Sequence, residues 1–169
     1  AFVSPEQYQS YEEVRNSYPK ASKATKTVKI DAERPWRKSD SSIRLEFSGD
    51  PKVDPPSDGS YILNVIGGER WNKGNQTIHY EFTAPETGLY KIGLRSYQRY
   101  NDGLDSYRQI RINGEVPFRE LLCYRFEYSN WKNEILSNDK GEPYLFYFEQ
   151  GPNTISMTVK TSPYANILN

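Results

Sequence analysis

Short segments in which apolar and polar residues alternate recur along most of this 169-residue chain. A period of two residues is typical of β-strands that bury one face, and turn residues such as those in PETG, NDGLD and EQGPN separate the segments. The segments that predict strands are TVKIDAE, SIRLEF, YILNVI, TIHYEF, LYKIGLRSY, YRQIRI, YLFYF and TISMTV, with further candidates in CYRFEY and around Trp131. Many short strands with few helices predict an all-β fold, an antiparallel sandwich or barrel. YLFYF is apolar on both faces, which favours a central strand.

The stretch from Ser4 to Pro19 has a different pattern and predicts a helix over residues 4–18. Ser4 can cap this helix, Pro5 suits the first helical position, and Gln7 can complete a capping box. Pro19 ends it. A helix this short is marginal in water, so we expect an aromatic stripe to dock it on the sandwich. The residues of the stripe are Tyr8, Tyr11, Val14 and Tyr18.

These patterns divide the chain into three parts. Residues 1–25 are expected to form an N-terminal helix and linker, and residues 26–163 a β-sandwich domain. Residues 164–169 look like the start of a truncated C-terminal segment, because YANILN resembles the first turns of a helix. We therefore expect a neighbouring domain in a longer chain.

The charge balance and the cysteine count disfavour several classes of protein. Lys plus Arg and Asp plus Glu both number 22, and a formal net charge of zero gives no general attraction to nucleic acid or to anionic membranes. No apolar run approaches the roughly 20 residues of a membrane span. We expect neither nucleic-acid binding nor membrane insertion. Cys123 is the one cysteine, so no internal disulfide can form, and we expect it to pack as a small hydrophobe.

Motifs for catalysis are missing from the sequence. His79, the one histidine, lies within TIHYEF and lacks the HxH or HxxxH spacing of a metal site, so we expect an outward strand side chain. GGERWNKGN lacks the spacing of a phosphate-binding loop, and no GxSxG sequence is present. Two of the 22 acidic residues could in principle hydrolyse a glycosidic bond, although nothing singles out a pair. We therefore expect no enzyme activity.

The segment LRSYQRYNDGLDSYRQIRINGEVPF concentrates aromatic rings and multidentate polar groups. Alternation assigns the apolar residues of its two strands to the core, so that Gln98 and Arg108 continue the inward faces at the loop end. If the two strands form a hairpin, these side chains meet beneath the loop RYNDGLDS. An arginine at that rim needs fixed acceptors from the protein or from a ligand.

The outward residues of the same two strands allow two interpretations. They are Arg95, Tyr97 and Arg99 on the first strand, and Tyr107, Gln109 and Arg111 on the second. Such a face can be a hydrated sheet surface laced by cross-strand pairs. It can also be a recognition surface, because aromatic and guanidinium groups dominate binding sites.

Sugars suit the residues of the loop edge. Their C–H faces stack on Tyr and Trp, while Arg, Asn, Asp and Gln bond vicinal hydroxyls. The candidate ligand-binding residues are Trp71, Asn72, Gln98, Tyr100, Asn101, Asp102 and Arg108. Trp36 and Trp131 are further candidates for stacking, with ordinary packing as the alternative for every Trp.

Several segments resemble the β-sandwich carbohydrate-binding modules of families 6 and 35. VKIDAERPWRKSDSSI is similar to their opening strand, which begins with an acidic-Ala-Glu triplet, here Asp31-Ala32-Glu33. GGERWNKGNQTIHYEFTAPETGLYKIGLRSYQ resembles their middle, and RQIRINGEVPF and YLFYFEQGPNTISMTV resemble their closing hairpins. A narrower resemblance, over most of residues 8–168, is to the N-terminal sandwich domain of extracellular solute-binding lipoproteins, which serve sugar ABC transporters of Gram-positive bacteria.

The resemblance implies a galactose-binding-like jelly roll, an extracellular or cell-surface location, and an oligosaccharide or polysaccharide as partner. Modules of this type often hold a structural Ca²⁺ through the first-strand acids and a late Asp. Asp31 and Glu33 match the first part, but TISMTVKTSPY offers no acid. Calcium takes about six or more oxygens, so we expect no cofactor, with Asp31 and Glu33 as the candidate ligands if calcium binds.

We therefore expect a non-catalytic carbohydrate-binding domain of an exported bacterial protein, with weak recognition by loop aromatics and polar side chains. The alternative is a structural or protein-interaction sandwich that braces a neighbouring solute-binding domain. The loop Trp and Tyr residues favour the first hypothesis. The tyrosine stripe and the C-terminal segment favour the second.

Overall fold

A computed structural model describes residues 4–20, 26–29, 37–39, 45–46, 65–66, 73–98, 105–127 and 129–160. Within these residues, two β-sheets pack face to face around a hydrophobic core. The predicted all-β, largely antiparallel sandwich with a short N-terminal helix is confirmed. No helix in this part of the chain is long and apolar enough to cross a membrane.

One sheet has five strands, antiparallel throughout, in the order β2-β5-β11-β7-β8. Its strands are β2 (Arg37–Lys38), β5 (Thr77–Ala84), β7 (Ser106–Ile112), β8 (Tyr124–Phe126) and β11 (Gly151–Lys160). The central strand β11 pairs with β5 on one side and with β7 on the other. Both edges of β11 are therefore hydrogen-bonded within the sheet.

The other sheet has four strands and is organised around β6, its longest strand. Its strands are β1 (Lys26–Lys29), β6 (Gly88–Gln98), β9 (Ser129–Ile135) and β10 (Phe146–Phe148). β1 runs parallel to β6, whereas β9 and β10 pair antiparallel with successive parts of β6. A separate two-stranded ladder joins β3 (Leu45–Glu46) and β4 (Val65–Ile66).

Strand alternation explains which side chains fill the space between the sheets. In β5, Ile78, Tyr80 and Ala84 are buried, and the residues between them are half-buried or exposed. Phe82 of the same strand contacts Phe148 of the opposite sheet, with ring centroids 4.9 Å apart. Removing these apolar surfaces from water is the main force that holds the two sheets together.

The strands that carry Gln98 and Arg108 do not form the hairpin that the sequence allowed. β6 belongs to the four-stranded sheet and β7 to the five-stranded sheet, so the chain changes sheets between them. The outward residues of these strands therefore do not form one surface. Alternation assigns a face to each strand, but it does not say which strand lies beside it.

The N-terminal segment is helical in two pieces, not as one helix over residues 4–18. A 3-10 turn spans Pro5–Gln7, and the α-helix α1 spans Tyr11–Ser17. The side-chain oxygen of Gln7 accepts the N–H of Ser4 at 2.8 Å, as the capping-box pattern predicts. The predicted start is therefore correct, but the helix that begins there stops after one turn.

A second start signal and a tertiary contact explain the interruption. Ser10 caps α1, because its Oγ accepts the N–H of Glu13 at 3.3 Å. Both carboxylate oxygens of Glu120 accept the N–H of Tyr11, at 2.9 and 3.2 Å, next to the positive end of the helix dipole. Arg119, in the 3-10 turn Arg119–Leu122, donates to the carbonyls of Pro5, Tyr8 and Gln9. These bonds hold the residues between the first 3-10 turn and α1 in an extended form.

Tyrosines of this segment cover the edge of the four-stranded sheet at β10. The N–H of Leu145 donates to the hydroxyl of Tyr11 at 3.0 Å, and its carbonyl accepts the hydroxyl of Tyr18 at 3.1 Å. Tyr11 and Val14 pack on the core, which confirms the docking predicted for them. YLFYF is predicted to be a central strand, but among the described strands β10 pairs with β6 alone. Its second apolar face meets the tyrosines: Tyr147 stacks on Tyr18, with centroids 6.1 Å apart.

We expect Tyr11→Ala to lower the free energy of unfolding by about 3 kcal/mol, because it removes a ring and a hydroxyl that partners a backbone N–H. Tyr8→Ala is the matched control, since its ring makes no aromatic contact in the described residues, and it should cost less than about 1 kcal/mol. Urea unfolding measures both. Equal losses for the two variants would contradict the docking.

Stability should also fall in alkaline solution. Burial, more than the nearby Tyr11, raises the pKa of Tyr18 from 10.0 to about 12, and burial raises the pKa of Tyr144 to about 12. Below pH 10 both states keep these protons, whereas between about pH 10 and 12 the unfolded chain releases them first, so the free energy of unfolding decreases. Urea midpoints at pH 8 and pH 11 should differ less for Tyr18→Phe than for Tyr8→Phe. An unchanged difference would contradict the assignment.

Candidate functional site

Arg108 is the predicted ligand-binding residue that the structure describes most fully. It lies on the core face of β7, opposite Val159 of β11 and Tyr124 of β8. Its Nη1 donates to the carbonyl of Tyr107 at 2.9 Å, and burial lowers the pKa of the guanidinium from 12.5 to about 10. The inward orientation predicted by alternation is confirmed, and its role in binding stays a prediction.

A buried tyrosine next to Arg108 links the two sheets. The hydroxyl of Tyr124 donates to Oε1 of Glu134 in β9 at 3.1 Å and accepts the N–H of Ser137 at 3.1 Å. Burial, followed by the charge of Glu134, raises the pKa of Tyr124, so the hydroxyl keeps its proton. The hydrogen bond therefore fixes one sheet against the other beside Arg108.

Two ion pairs define the rim of the sandwich where β7 begins. Nε of Arg125 lies 3.2 Å from Oδ2 of Asp105, and its Nη2 lies 2.9 Å from Oε1 of Glu127. These side chains are partly exposed, so the pairs contribute little to stability. They do orient Asp105, the first described residue after position 98.

The chain that follows Trp71 and Asn72 is anchored at the same end of the sandwich. The N–H of Val159 donates to the carbonyl of Gln76 at 2.9 Å, and Val159 lies opposite Arg108 in the sheet. Gln76 is buried, and its Oε1 accepts the N–H of Lys73 at 3.0 Å. The start of β5 and the start of β7 therefore lie at one end of the fold.

The structure does not describe the side chains of the remaining predicted site residues. The residues that lie wholly outside the described part are Asp31, Glu33, Trp36, Trp71, Asn72, Arg99, Tyr100, Asn101 and Asp102. Gln98 is the last residue of β6, and its backbone pairs with Ser129 of β9. The register shifts between Ser96 and Gln98, so the simple alternation that assigned an inward face to Gln98 does not extend to it.

The outer face of the five-stranded sheet brings together two arginines, a histidine and a buried serine that the sequence analysis did not group. Arg37 of β2 pairs with His79 of β5. His79 in turn pairs with Ser156 of β11, which pairs with Arg111 of β7. We call these four residues the cation row. Strands lie about 4.8 Å apart, so the two arginines stand on strands roughly 14 Å apart, with the imidazole between them.

The cation row contains two arginines, and the acid Glu81 lies on the same face of β5. Partial burial, then the charges of Arg37 and Arg111, lower the pKa of His79, so at pH 7 the arginines carry the charge and the imidazole is neutral. In the part of the chain that the structure describes, neither arginine has a hydrogen bond or an ion pair with an acceptor. Arg125 on the same sheet face has two carboxylate partners. The predicted outward orientation of His79 is confirmed.

Gln109 adds an unsatisfied acceptor beside the cation row. It lies two residues from Arg111 on the same face of β7, opposite Thr158. The residue is 6% exposed, and its Oε1 has no hydrogen-bond partner among the described residues. Such a buried acceptor costs about 1 to 3 kcal/mol when no donor reaches it.

No group of three or more His, Cys, Asp or Glu residues that could hold a metal occurs among the described residues. Asp31 and Glu33, the candidate calcium ligands, are outside them. Cys123 is half-buried, and burial raises the pKa of its thiol, which agrees with the prediction of a packing role.

Solved structures contain domains similar to this chain, although no family model and no curated protein matches it. One is in the cycloisomaltooligosaccharide glucanotransferase of a Paenibacillus species, with TM-score 0.52 and 16% identity over 76% of this chain and 15% of that one. Another is a family 35 carbohydrate-binding module from Clostridium thermocellum, with TM-score 0.48 and 18% identity over 72% of this chain and 78% of the module. At 16% identity, the likeness to the glucanotransferase domain shows a shared fold.

We expect the fold to form without calcium, because the late acid that would complete the site is missing from TISMTVKTSPY. Thermal melts with excess calcium and with a chelator should coincide. A ligand that binds the native state raises the melting midpoint, so an increase of many degrees with calcium would show that this expectation is wrong.

Proposed function

We propose that this chain is a non-catalytic carbohydrate-binding domain of an exported bacterial protein, and that it binds an oligosaccharide or polysaccharide weakly at the loop end. The observation that carries the proposal is the anchoring of two sequence segments at one end of the sandwich. One segment follows Trp71 and Asn72, and the other follows Tyr100, Asn101 and Asp102. This anchoring supports the proposal that the aromatic and multidentate residues which precede the two segments serve one ligand.

The chemistry of the binding site is that of sugar recognition. Aromatic rings take the C–H faces of a sugar, and amide, carboxylate and guanidinium groups bond its hydroxyls. Arg108 lies at this end of the sandwich, next to Tyr124, whose hydrogen bond to Glu134 joins the two sheets.

The proposal extends to location and to the parent protein. We place the domain outside the cell or at the surface of a Gram-positive bacterium, in a solute-binding lipoprotein of a sugar transporter. The order of the sequence segments supports this, from the helix before the sandwich to the YANILN segment after it.

The alternative, a sandwich that braces a neighbouring domain, loses one of its two supports. The tyrosine stripe that favoured it is used within the chain, because Tyr11 and Tyr18 bind the backbone of Leu145 and Tyr11 packs on Phe118. A surface buried against its own sandwich is not free for a second domain. The C-terminal segment remains as the support for this alternative.

A glycan array with the 169-residue chain tests the proposal. We expect binding in the micromolar to millimolar range, since single contacts in shallow, wet sites rarely exceed about 1 to 3 kcal/mol. Trp71→Ala should weaken binding about tenfold and leave the melting midpoint unchanged. Arg108→Ala should lower affinity and stability together, because it also empties a buried position and removes the donor to Tyr107.

Tyr8→Ala is the control, an aromatic residue outside the proposed site. If a glycan binds and neither Trp71→Ala nor Tyr100→Ala changes its affinity, the loop end is not the binding site. Absence of binding across a broad array would instead favour the bracing alternative.

A further inference from the structure

We propose that Asn113 is a site of spontaneous deamidation, that Asn153 restrains the reaction in the folded chain, and that the product irreversibly loosens one end of the five-stranded sheet. The site lies in the turn after β7, at the end of that strand away from Arg108. This modification is independent of the carbohydrate-binding function proposed above. Three features support it: the sequence of the turn, the hydrogen bonds of one amide, and the donor that an acid lacks.

The sequence of the turn is the one in which deamidation meets least hindrance. Asn113 is the only asparagine among the 169 residues that precedes a glycine, and a glycine has no side chain to obstruct its own nitrogen. The nitrogen of Gly114 bonds to Cγ of Asn113, its proton passes through water to the departing amide nitrogen, and ammonia leaves. Water then opens the cyclic succinimide at either carbonyl, which yields aspartate or isoaspartate and one new negative charge.

The fold requires this dipeptide at the surface. Ile112 and Glu115 exchange both backbone hydrogen bonds, at 2.8 and 3.1 Å, so only two residues form the turn between them. Both residues are exposed and have positive φ, 49° at Asn113 and 86° at Gly114, as a type I′ turn requires. Asn-Gly is the pair that this turn favours, so the residues that suit the turn best are also the residues that react.

The side-chain amide of Asn113 extends the ladder between β7 and β11. Its Oδ1 accepts the N–H of Thr154 at 2.8 Å, and its Nδ2 donates to Oδ1 of Asn153 at 3.0 Å. We call these two bonds the amide lock. Attack by Gly114 makes Cγ tetrahedral and releases its nitrogen, so the planar amide cannot keep both bonds during the reaction. The reaction in the folded chain therefore needs a local opening of this end of the sheet.

Asn153 determines which group at position 113 can close the amide lock. It is buried, with 5% of its surface exposed, and its Nδ2 donates to the carbonyls of Glu149 and Gly151 at 3.0 and 3.1 Å. Because both of its N–H groups are used, its Oδ1 faces Asn113. A carboxylate there has only acceptors, so it meets this oxygen without a donor. The product cannot close the lock again, and it leaves a buried acceptor unsatisfied.

The isoaspartate product changes the turn as well as the lock. It routes the backbone through the side-chain carbons, and the added backbone atom disrupts a turn whose two residues set the register of the strands beside it. Asn153 belongs to β11, the central strand, and pairs with Phe82 of β5. Loosening at this position therefore reaches the strands on both sides of β11.

The first test compares the rate of deamidation in the folded and the unfolded chain. The full chain is incubated in mildly alkaline buffer with and without urea, and mass spectrometry of the digested chain follows amide, aspartate and isoaspartate at position 113. We expect the folded chain to react at least about tenfold more slowly, because the amide lock must open first. This comparison needs no variant, so it is decisive even where a substitution prevents folding.

Two variants separate local opening from global unfolding. Asn153→Ala removes one bond of the amide lock and should accelerate deamidation of the folded chain about tenfold. Tyr11→Ala is the matched control, because it weakens a contact of the N-terminal segment and should change the rate less than about twofold. Circular dichroism of both variants checks that they are folded under the conditions of the assay.

The second test concerns the loosening of the sheet and uses Asn113→Asp, which reproduces one product. We expect it to lower the melting midpoint by several degrees, and to lose most of this effect in the Asn153→Ala background, where the facing oxygen is gone. Asn75→Asp is the control for charge, since Asn75 is also exposed with positive φ but its side chain has no hydrogen bond to the described residues. Its midpoint should stay close to that of the unsubstituted chain.

Each part of the proposal has a result that would overturn it. An intact amide in both the folded and the unfolded chain would remove the site, and equal rates in the two would remove the amide lock. Equal acceleration by Asn153→Ala and Tyr11→Ala would show that the reaction needs global unfolding. Aspartate without isoaspartate would exclude the succinimide route, and an unchanged midpoint in Asn113→Asp would exclude the loosening of the sheet.

Discussion

The packing of one tyrosine ring against the sandwich determines how the N-terminal segment and the four-stranded sheet are held. Tyr11 lies with its ring centroid 4.9 Å from that of Phe118 and 4.7 Å from that of Tyr144. From there the contacts continue through Phe146 to Phe148, in the centre of the core. The hydroxyl of Tyr11 also accepts the backbone N–H of Leu145 at the sheet edge. The same side chain therefore packs the N-terminal segment on the core and covers the edge of the four-stranded sheet.

This arrangement shows which parts of the fold alternation could predict. Strands β5, β6, β7 and β11 are long enough for the period of two to be clear, and the structure contains all of them. The partners of these strands could not be predicted, since the sequence of a strand does not specify which strands lie beside it. The break after Gln7 had a visible signal in the sequence Ser10-Tyr-Glu-Glu13, a second capping box, but its tertiary cause, Glu120, lies more than a hundred residues away.

The same limit applies to the candidate sites. Arg108 could be placed from sequence because its face follows from the apolar residues that share its strand, and the buried guanidinium bears this out. Arg111 and Gln109 were also assigned correctly to the face opposite the core, although Gln109 is buried there, and they were placed beside residues of β6, which is in the other sheet. The row that Arg111 forms with Arg37 crosses four strands, so it exists only once the register of every pair is known. No spacing within the sequence could have shown it.

The arginines of this chain show why a formal net charge of zero is a poor guide to what a protein of this kind binds. Arg119 is occupied by backbone carbonyls, and Arg125 by two carboxylates, so their charges do little beyond their own neighbourhood. Arg108 is buried against Tyr107 and can act on a ligand only at the end of the sandwich. Arg37 and Arg111 are different, because both stand beside the imidazole of His79, where burial and then their two charges lower its pKa. A neutral chain can therefore attract an anion, provided that its acids compensate some cations in pairs and leave others together on one face.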